Sequence, residues 1–453
     1  MTPRFQPDPS GAITQQLADF VHATSWQDIP ASVQHEAKRS ILNGFATALG
    51  GAREPAIAKA LAVLGPFSGD AACSLIGRME RTDMVLAATL NAMAANIADF
   101  DDTHPATVIH PTAPVAPALF AFAETSRTSG AALLRAFILG AEIECRVGNA
   151  VSPDHYARGW HITSTCGVIG SAVAMGALLN LTPQQLVHAI SNATVQAAGM
   201  VETLGTMSKS ISVGNAARNG ITSALLAAQD YSGPPAPLEG TRGFLPVYAD
   251  QPNAAALTDG LGTVWEIAKN TYKPYPVGVV LNPVVEACLM VHAEGAIILD
   301  DVTGVELTGH PLLRQRTDRP DVTTGREAQI SAQHAITITL KHGRAGLAEF
   351  TDAAVTETLG IRPPVTFIDD AGYHVESARI VIHTRSGERR SIDIGDTRGG
   401  SKNPLSDTDL TAKLEALAVY GGFARDPAPL ADALWSLDQS ADAGGLMALA
   451  RPL

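Results

Sequence analysis

The chain has 453 residues, 46% hydrophobic and 17% charged, a composition ordinary for a soluble globular protein and a length beyond a single hydrophobic core. With 32 basic against 45 acidic residues the formal net charge is −13, which excludes wrapping a nucleic-acid backbone or coating an anionic membrane as the main role. Cys73, Cys145, Cys166 and Cys288 lie far apart without a CxxC pair, against a zinc ribbon or a secreted disulfide scaffold and in favour of a reducing cytoplasm.

Met1 to Gly11 carries prolines and no apolar core region, and later apolar stretches are interrupted well before the roughly 18 residues a membrane span needs; neither a signal peptide nor a membrane segment is expected. From Ile13 to about Lys269 the pattern is helical, with Val33, Ala37, Ile41, Phe45 and Leu49 on one stripe, and helices are expected over 31–50, 81–98, 130–148, 163–180, 183–198 and 212–229. Dense Ala and Gly, as in Gly167, Gly170, Ala174 and Gly176, let helix backbones approach closely. Thr182 followed by Pro183 reads as an N-cap and first turn. After Lys269 the composition shifts. Residues 302–307, 365–368, 379–383 and 391–394 read as strands, the last two joined by the turn Arg385-Ser386-Gly387-Glu388, with helical stretches over 325–342 and 346–358. Ser406 and Asp409 then form a capping-box pattern ahead of amphipathic Leu410–Tyr420. The fold class is therefore mainly α: a large all-helical bundle domain built from both chain ends, 1–269 plus 402–453, with an inserted smaller α+β domain over 270–401.

Three segments carry candidate chemistry. In Asp99-Phe100-Asp101-Asp102-Thr103-His104, followed by His110, three carboxylates and two imidazoles fall within twelve positions. They read as an acid/base site or a metal site, the plainer alternative being a helix end with solvated aspartates. Asp99 and Asp102, three apart, would share a helix face in a metal-dependent enzyme. Tyr156-Ala157-Arg158-Gly159-Trp160-His161 precedes a helix start, where exposed N–H groups attract carboxylates; a capping or packed histidine is the plainer reading. Gly205-Thr206-Met207-Ser208-Lys209-Ser210 places a lysine at a helix N-terminus, against the dipole, which points to a negative group nearby unless it is a surface lysine. The loop lacks P-loop spacing, and no GxGxxG fingerprint or complete metal-ligand set is visible, so neither cofactor nor resident metal is expected.

In combination, Asp99…Thr103…His110, Gly159-Trp160-His161, Gly205-Thr206-Met207-Ser208-Lys209 with Gly214-Asn215-Ala216-Ala217, Lys273-Pro274-Tyr275-Pro276, Gly325-Arg326-Glu327-Ala328-Gln329-Ile330-Ser331 and Asn403-Pro404-Leu405-Ser406-Asp407 resemble the MmgE/PrpD family across most of the chain. That resemblance implies an α+β lid on the helical domain, usually a homodimer, and a small polycarboxylate substrate handled without a redox cofactor. The family includes 2-methylcitrate dehydratase, cis-aconitate decarboxylase and iminodisuccinate epimerase. Carried over by motif, the catalytic set is His110, His161, Lys209, Asp99 and Tyr156, and the substrate-binding set is Thr103, His104, Lys273, Asn282 and His334. Two positions depart from the family pattern: Val277 and Asn282 stand where a cysteine and a histidine are common, and His334 stands where the decarboxylase branch has a tyrosine. Asn282 cannot exchange a proton near neutral pH. The expected activity is thus dehydration of a 2-methylcitrate-like acid, with epimerisation of a polycarboxylate as the alternative, ahead of cis-aconitate decarboxylation, metal-dependent catalysis or non-catalytic carboxylate binding.

Overall fold

The computed structural model describes residues 12–452; the reading of Met1–Gly11 lies outside the described residues. The chain divides after Asn270 and after Ser406 into two compact units, the first formed by the residues up to Asn270 with those from Asp407, the second by Thr271–Ser406.

The first unit is helical. Its principal members are α1 (Ala31–Gly51), α2 (Met84–Ile97), α3 (Thr112–Ala123), α4 (Gly130–Val151), α5 (Ile162–Leu178), α6 (Pro183–Thr194) and α7 (Ser208–Ala227). The small residues have a direct packing use. A Cβ on Gly140 of α4 would lie 2.5 Å from the Gly170 carbonyl oxygen of α5, and one on Gly220 of α7 would lie 2.3 Å from Ser171 Cβ of α5. Helix α5 can therefore be clasped from two sides only because the side chains there are hydrogen atoms. Thr182 and Gln185 form a reciprocal capping box at the start of α6.

Several helix ends differ from expectation, the 130–148 helix running on to Val151. α2 begins at Met84, where Asp83 accepts the Val85 and Leu86 N–H groups, and Arg81–Thr82 instead pairs with Cys73–Ser74 as a short antiparallel ladder. α6 ends at Thr194, and α7 starts at Ser208, so Lys209 sits inside its first turn. The Asp407–Tyr420 helix packs on α1, where Arg39 pairs with both Asp407 and Glu36. All four cysteines are free and buried. Among the described residues, no helix is long and apolar enough to cross a membrane.

The second unit holds a four-stranded sheet of β1 (Val302–Gly309), β2 (Val365–Asp369), β3 (Ala378–Thr384) and β4 (Arg389–Ile394), ordered β2-β1-β3-β4. β1 runs parallel to β2 and antiparallel to β3, and β3–β4 is the hairpin expected around Ser386-Gly387. Ala378, Ile380 and Ile382 alternate inward and meet Val284, Cys288, Ala335 and Ile336 from α8 (Asn282–Glu294) and α9 (Ala332–His342) in one apolar core. The expected 325–342 helix is broken: a capped turn, Gly325–Ala328, stops before Ser331, whose hydroxyl accepts the His334 N–H and starts α9 anew. The 346–358 stretch likewise resolves into a short 3-10 turn and a helix, Asp352–Thr358, that Thr351 caps.

Candidate active site

α2 ends at Ile97, and two residues later the backbone of Asp99 turns left-handed at φ 53°. Asp and Asn tolerate this conformation better than other residues with side chains. The reversal leaves Asp99 half-exposed while Asp101 and Asp102 enter the interior with no exposure. Asp99 and Asp102 therefore do not share a helix face, which corrects the expectation behind a metal site built on that pair. Asp102 turns away from Asp99, its Oδ2 accepting hydrogen bonds from Thr112 Oγ1 and Asn270 Nδ2, each at 2.6 Å. Burial and the neighbouring Asp101 push its carboxyl up. Asp101 is shifted the other way: against burial, the charge and hydrogen bonding of His110 hold it down, and Asn96 Nδ2 donates to its Oδ2 at 2.7 Å. Adjacent buried carboxylates thus shift in opposite directions, Asp101 down and Asp102 up.

His110 follows a tight loop closed by the His104 N–H donating to the Ile109 carbonyl at 2.8 Å. Its Nδ1 donates to the Asp102 carbonyl at 2.8 Å and lies 3.1 Å from Asp101 Oδ1, with Thr103 Oγ1 at 3.5 Å. Its Nε2 is 3.5 Å from Asp99 Oδ1, and the same oxygen accepts from Lys209 Nζ at 2.6 Å. The expected carboxylate partner of the imidazole is accordingly redistributed: Asp101 and a carbonyl orient Nδ1, while Asp99 bridges Nε2 to the Lys209 ammonium. The negative group anticipated beside Lys209 is Asp99. Asp99, Asp101 and His110 offer ligand atoms within 4.8 Å of one another, but the Lys209 ammonium already lies against the most exposed of those carboxylates and supplies a fixed positive charge.

His161 is the N-cap residue of α5 and is 3% exposed. Its N–H donates to the Gly199 carbonyl at 3.1 Å, and the Val201 N–H donates to the Gly159 carbonyl at 2.8 Å, so the 159–161 and 199–201 segments lock together. Nδ1 lies 2.6 Å from Ser164 Oγ. Burial first, then Lys209 and His110, push the imidazole down to about 3, so the ring is neutral across the physiological range. A cavity of about 390 Å³ opens beside it, lined by Trp160, Ser164, Gln196, Met200, Ser212 and Asn215 among others.

The remaining expected residues each have their own surroundings. His104 has no exposure and both ring nitrogens are engaged, Nδ1 with Thr107 Oγ1 at 2.8 Å and Nε2 with Glu266 Oε2 at 3.1 Å. These two contacts brace the loop. His334 likewise has no exposure, its Nδ1 meeting Thr358 Oγ1 and its Nε2 the Glu349 carbonyl, and both contacts hold it inside the second unit's core. Tyr156 is half-buried in a one-turn helix, Asp154–Ala157, whose buried residue is His155, bonded to Thr165 and the Tyr248 carbonyl. In the second unit Lys273 and Asn282 are each less than a tenth exposed, and the Asn282 Oδ1 takes no hydrogen bond.

Asp101, Ser164, Ser212 and Lys413 are contributors that the sequence reading did not place in the site. Lys413 arrives from the C-terminal helix, its Nζ donating to the Phe100 carbonyl at 2.7 Å and lying 3.8 Å from the centroid of that residue's ring. Only Asp101 had a sequence signal, its place in the acidic cluster.

Residues 15–256 match the MmgE/PrpD N-terminal domain and residues 275–428 the MmgE/PrpD C-terminal domain. The chain is 28% identical over 473 residues to the cis-aconitate decarboxylase-like protein oryM of Aspergillus oryzae, covering 97% of this chain and 98% of that one. It is 33% identical over 291 residues to cis-aconitate decarboxylase of Aspergillus terreus, 60% of this chain and 59% of the relative. It is 26% identical over 426 residues to cis-aconitate decarboxylase of Homo sapiens, 90% and 88% of the two chains. With both domains matched in order along the sequence, the chain belongs to the MmgE/PrpD family.

Proposed function

We propose that the protein is a lyase that removes a proton from carbon beside a carboxylate of a small di- or tricarboxylate, with loss of a hydroxyl as in a 2-methylcitrate-dehydratase-like reaction. The observation that supports this most is the convergence of a neutral, nearly buried His161 with the Lys209–Asp99–His110–Asp101 charge cluster. Breaking such a C–H bond places negative charge on a group already anionic, and a preorganised cation lowers that barrier most in a dry site. In this reading Lys209 holds the substrate carboxylate, sharing its ammonium protons between ligand and Asp99, and neutral His161 takes the proton. His110, oriented by Asp101 and polarised by Asp99, gives a proton to the departing hydroxyl. Thr103, 3.5 Å from His110 Nδ1, is the substrate-binding residue of the proposal within the first unit. The enzyme works without metal or redox cofactor, in the cytoplasm.

A second reading, decarboxylation of cis-aconitate, is favoured by the names of the relatives. It uses the same cationic stabilisation, but the electron pair comes from a broken C–C bond as carbon dioxide leaves, and an acid then protonates carbon. The deciding experiment incubates the enzyme in deuterated water with citrate, 2-methylcitrate, cis-aconitate, tartrate and iminodisuccinate in turn. Loss of water to an unsaturated acid, with deuterium only in recovered substrate, supports dehydration; carbon dioxide release with deuterium in the product supports decarboxylation; and deuterium uptake with inversion supports epimerisation. Failure of every acid to react would overturn the assignment of this site to polycarboxylate chemistry.

A further inference from the structure

At Nδ1 of His161, which lies 3.4 Å from Ser212 Oγ as well as against Ser164, two serine hydroxyls form a chain whose proton directions can be assigned. Ser212 Oγ donates to the Lys209 carbonyl at 2.8 Å, and a carbonyl can only accept. Ser164 Oγ donates to Ser212 Oγ at 2.6 Å. Each hydroxyl has one proton, so with both committed the short 2.6 Å contact between Ser164 Oγ and His161 Nδ1 is made by a proton on the imidazole. We infer that Ser164 and Ser212 are positioning residues that hold His161 as its Nδ1–H tautomer, and thereby make Nε2 the atom that receives the substrate proton. The inference deepens the proposed function and rests on its assignment of His161 as the base.

The surroundings are built to keep this chain in register. The His161 N–H is tied to the Gly199 carbonyl, and a Cβ on Gly199, whose φ is +137°, would lie 2.9 Å from Ser164 Cβ and 3.0 Å from its Oγ. Any larger residue there would press on the hydroxyl. The chain ends on the backbone of Lys209, whose side chain holds Asp99, so one helical turn orders both the base and the cation. Lys209 and His110 are the positive neighbours of the ring, and Asp99 and Asp101 the negative ones. In the reaction the C–H bond breaks, its electron pair stays on the substrate carbon and spreads into the carboxylate, and the proton goes to Nε2. The resulting imidazolium keeps its Nδ1–H on Ser164. Fixing the tautomer before substrate arrives removes the population that would present an N–H where a lone pair is needed.

The test uses the full-length protein labelled with ¹⁵N at histidine, the His161 signals being identified by their loss in His161→Gln. The expected wild-type spectrum shows the Nδ1–H tautomer; Ser164→Ala and Ser212→Ala shift it toward a mixture. On whichever acid the wild type exchanges, Ser164→Ala should lower turnover by about 10-fold or more with KM changed less than about 2-fold, and Ser164→Thr, which keeps the hydroxyl, should restore much of it. Circular dichroism confirms that each variant is folded, and Ser212→Ala gives a second reading if Ser164→Ala is not. A wild-type Nε2–H tautomer, or an unchanged Nδ1–H tautomer in both alanine variants, overturns the inference. The tautomer is read without substrate, so an enzyme inactive on every acid overturns the proposed function independently of this result.

Discussion

Single side chains at the site are distinguished by what each does with charge. His161, pushed down to about 3 from 6.5, binds fewer protons in the native than in the unfolded chain between those values. The stability associated with its neutral ring is complete above pH 6.5 and is lost as pH falls toward 3. His161→Gln should therefore flatten the fall of Tm between pH 6.5 and 4, read by thermal unfolding at a series of pH values. The same variant should lower turnover by about 10²-fold or more with substrate affinity nearly intact, whereas Lys209→Ala should weaken binding and turnover together, because the charge it neutralises grows in the transition state. Equal losses of binding in both variants, measured by titration calorimetry, would contradict that division of roles.

Between helices, the packing of α4 on α5 sets the constraint. Glu144 of α4 has no exposure, neither carboxyl oxygen has a hydrogen-bond partner, and a Cβ on Gly170 would lie 2.4 Å from its Oε2. Burial first, and then Asp102, raise its carboxyl well above 4.5, so the native state keeps a proton that the unfolded state has released. Stability from this group falls as pH rises above 4.5 toward the folded value. Glu144→Gln should remove that slope, and its Tm advantage over wild type should widen from pH 5 to pH 8. Gly140→Ala, whose new methyl would press on the Gly170 carbonyl, should cost about 1–3 kcal/mol in denaturant unfolding; a neutral effect would mean that the two helices can separate freely.

At the scale of the whole molecule, the C-terminal segment completes the first unit and reaches the acidic loop through Lys413. Lys413→Met keeps the length of the stem but leaves the Phe100 carbonyl without its ammonium donor, at a cost of about 1–3 kcal/mol. Because Phe100 lies between Asp99 and Asp101, turnover should fall as well, and a variant as stable and active as wild type would separate the helix from the site. The family resemblance implies a homodimer, and Val195, Met200, Met207 and Ile211, each about half-exposed or more, supply apolar surface of the kind such an interface covers. Sedimentation should then give twice 47.2 kDa, and a single-chain mass at micromolar concentration would contradict what the resemblance implies.

Local chemistry was readable wherever the chain talks to itself at short range. Thr182 announced its cap, the Arg385–Glu388 turn announced its hairpin, and the apolar stripe of 31–50 announced α1, because capping, turn geometry and helical period depend on residues a few positions apart. The motif spacing likewise carried Asp99, His110, His161 and Lys209, which the fold brings into one charged neighbourhood. The order of a sequence could not show that Thr107 and Glu266 engage His104, or that Thr358 and a carbonyl engage His334, since an imidazole with such partners looks the same in one dimension as one without them. Nor could it pair Lys209 with Asp99, Ser164 with Ser212, or Lys413 with Phe100. These contacts join residues 48 to 313 positions apart, and their partners, burial and electrostatic environment come into being only when the helices pack.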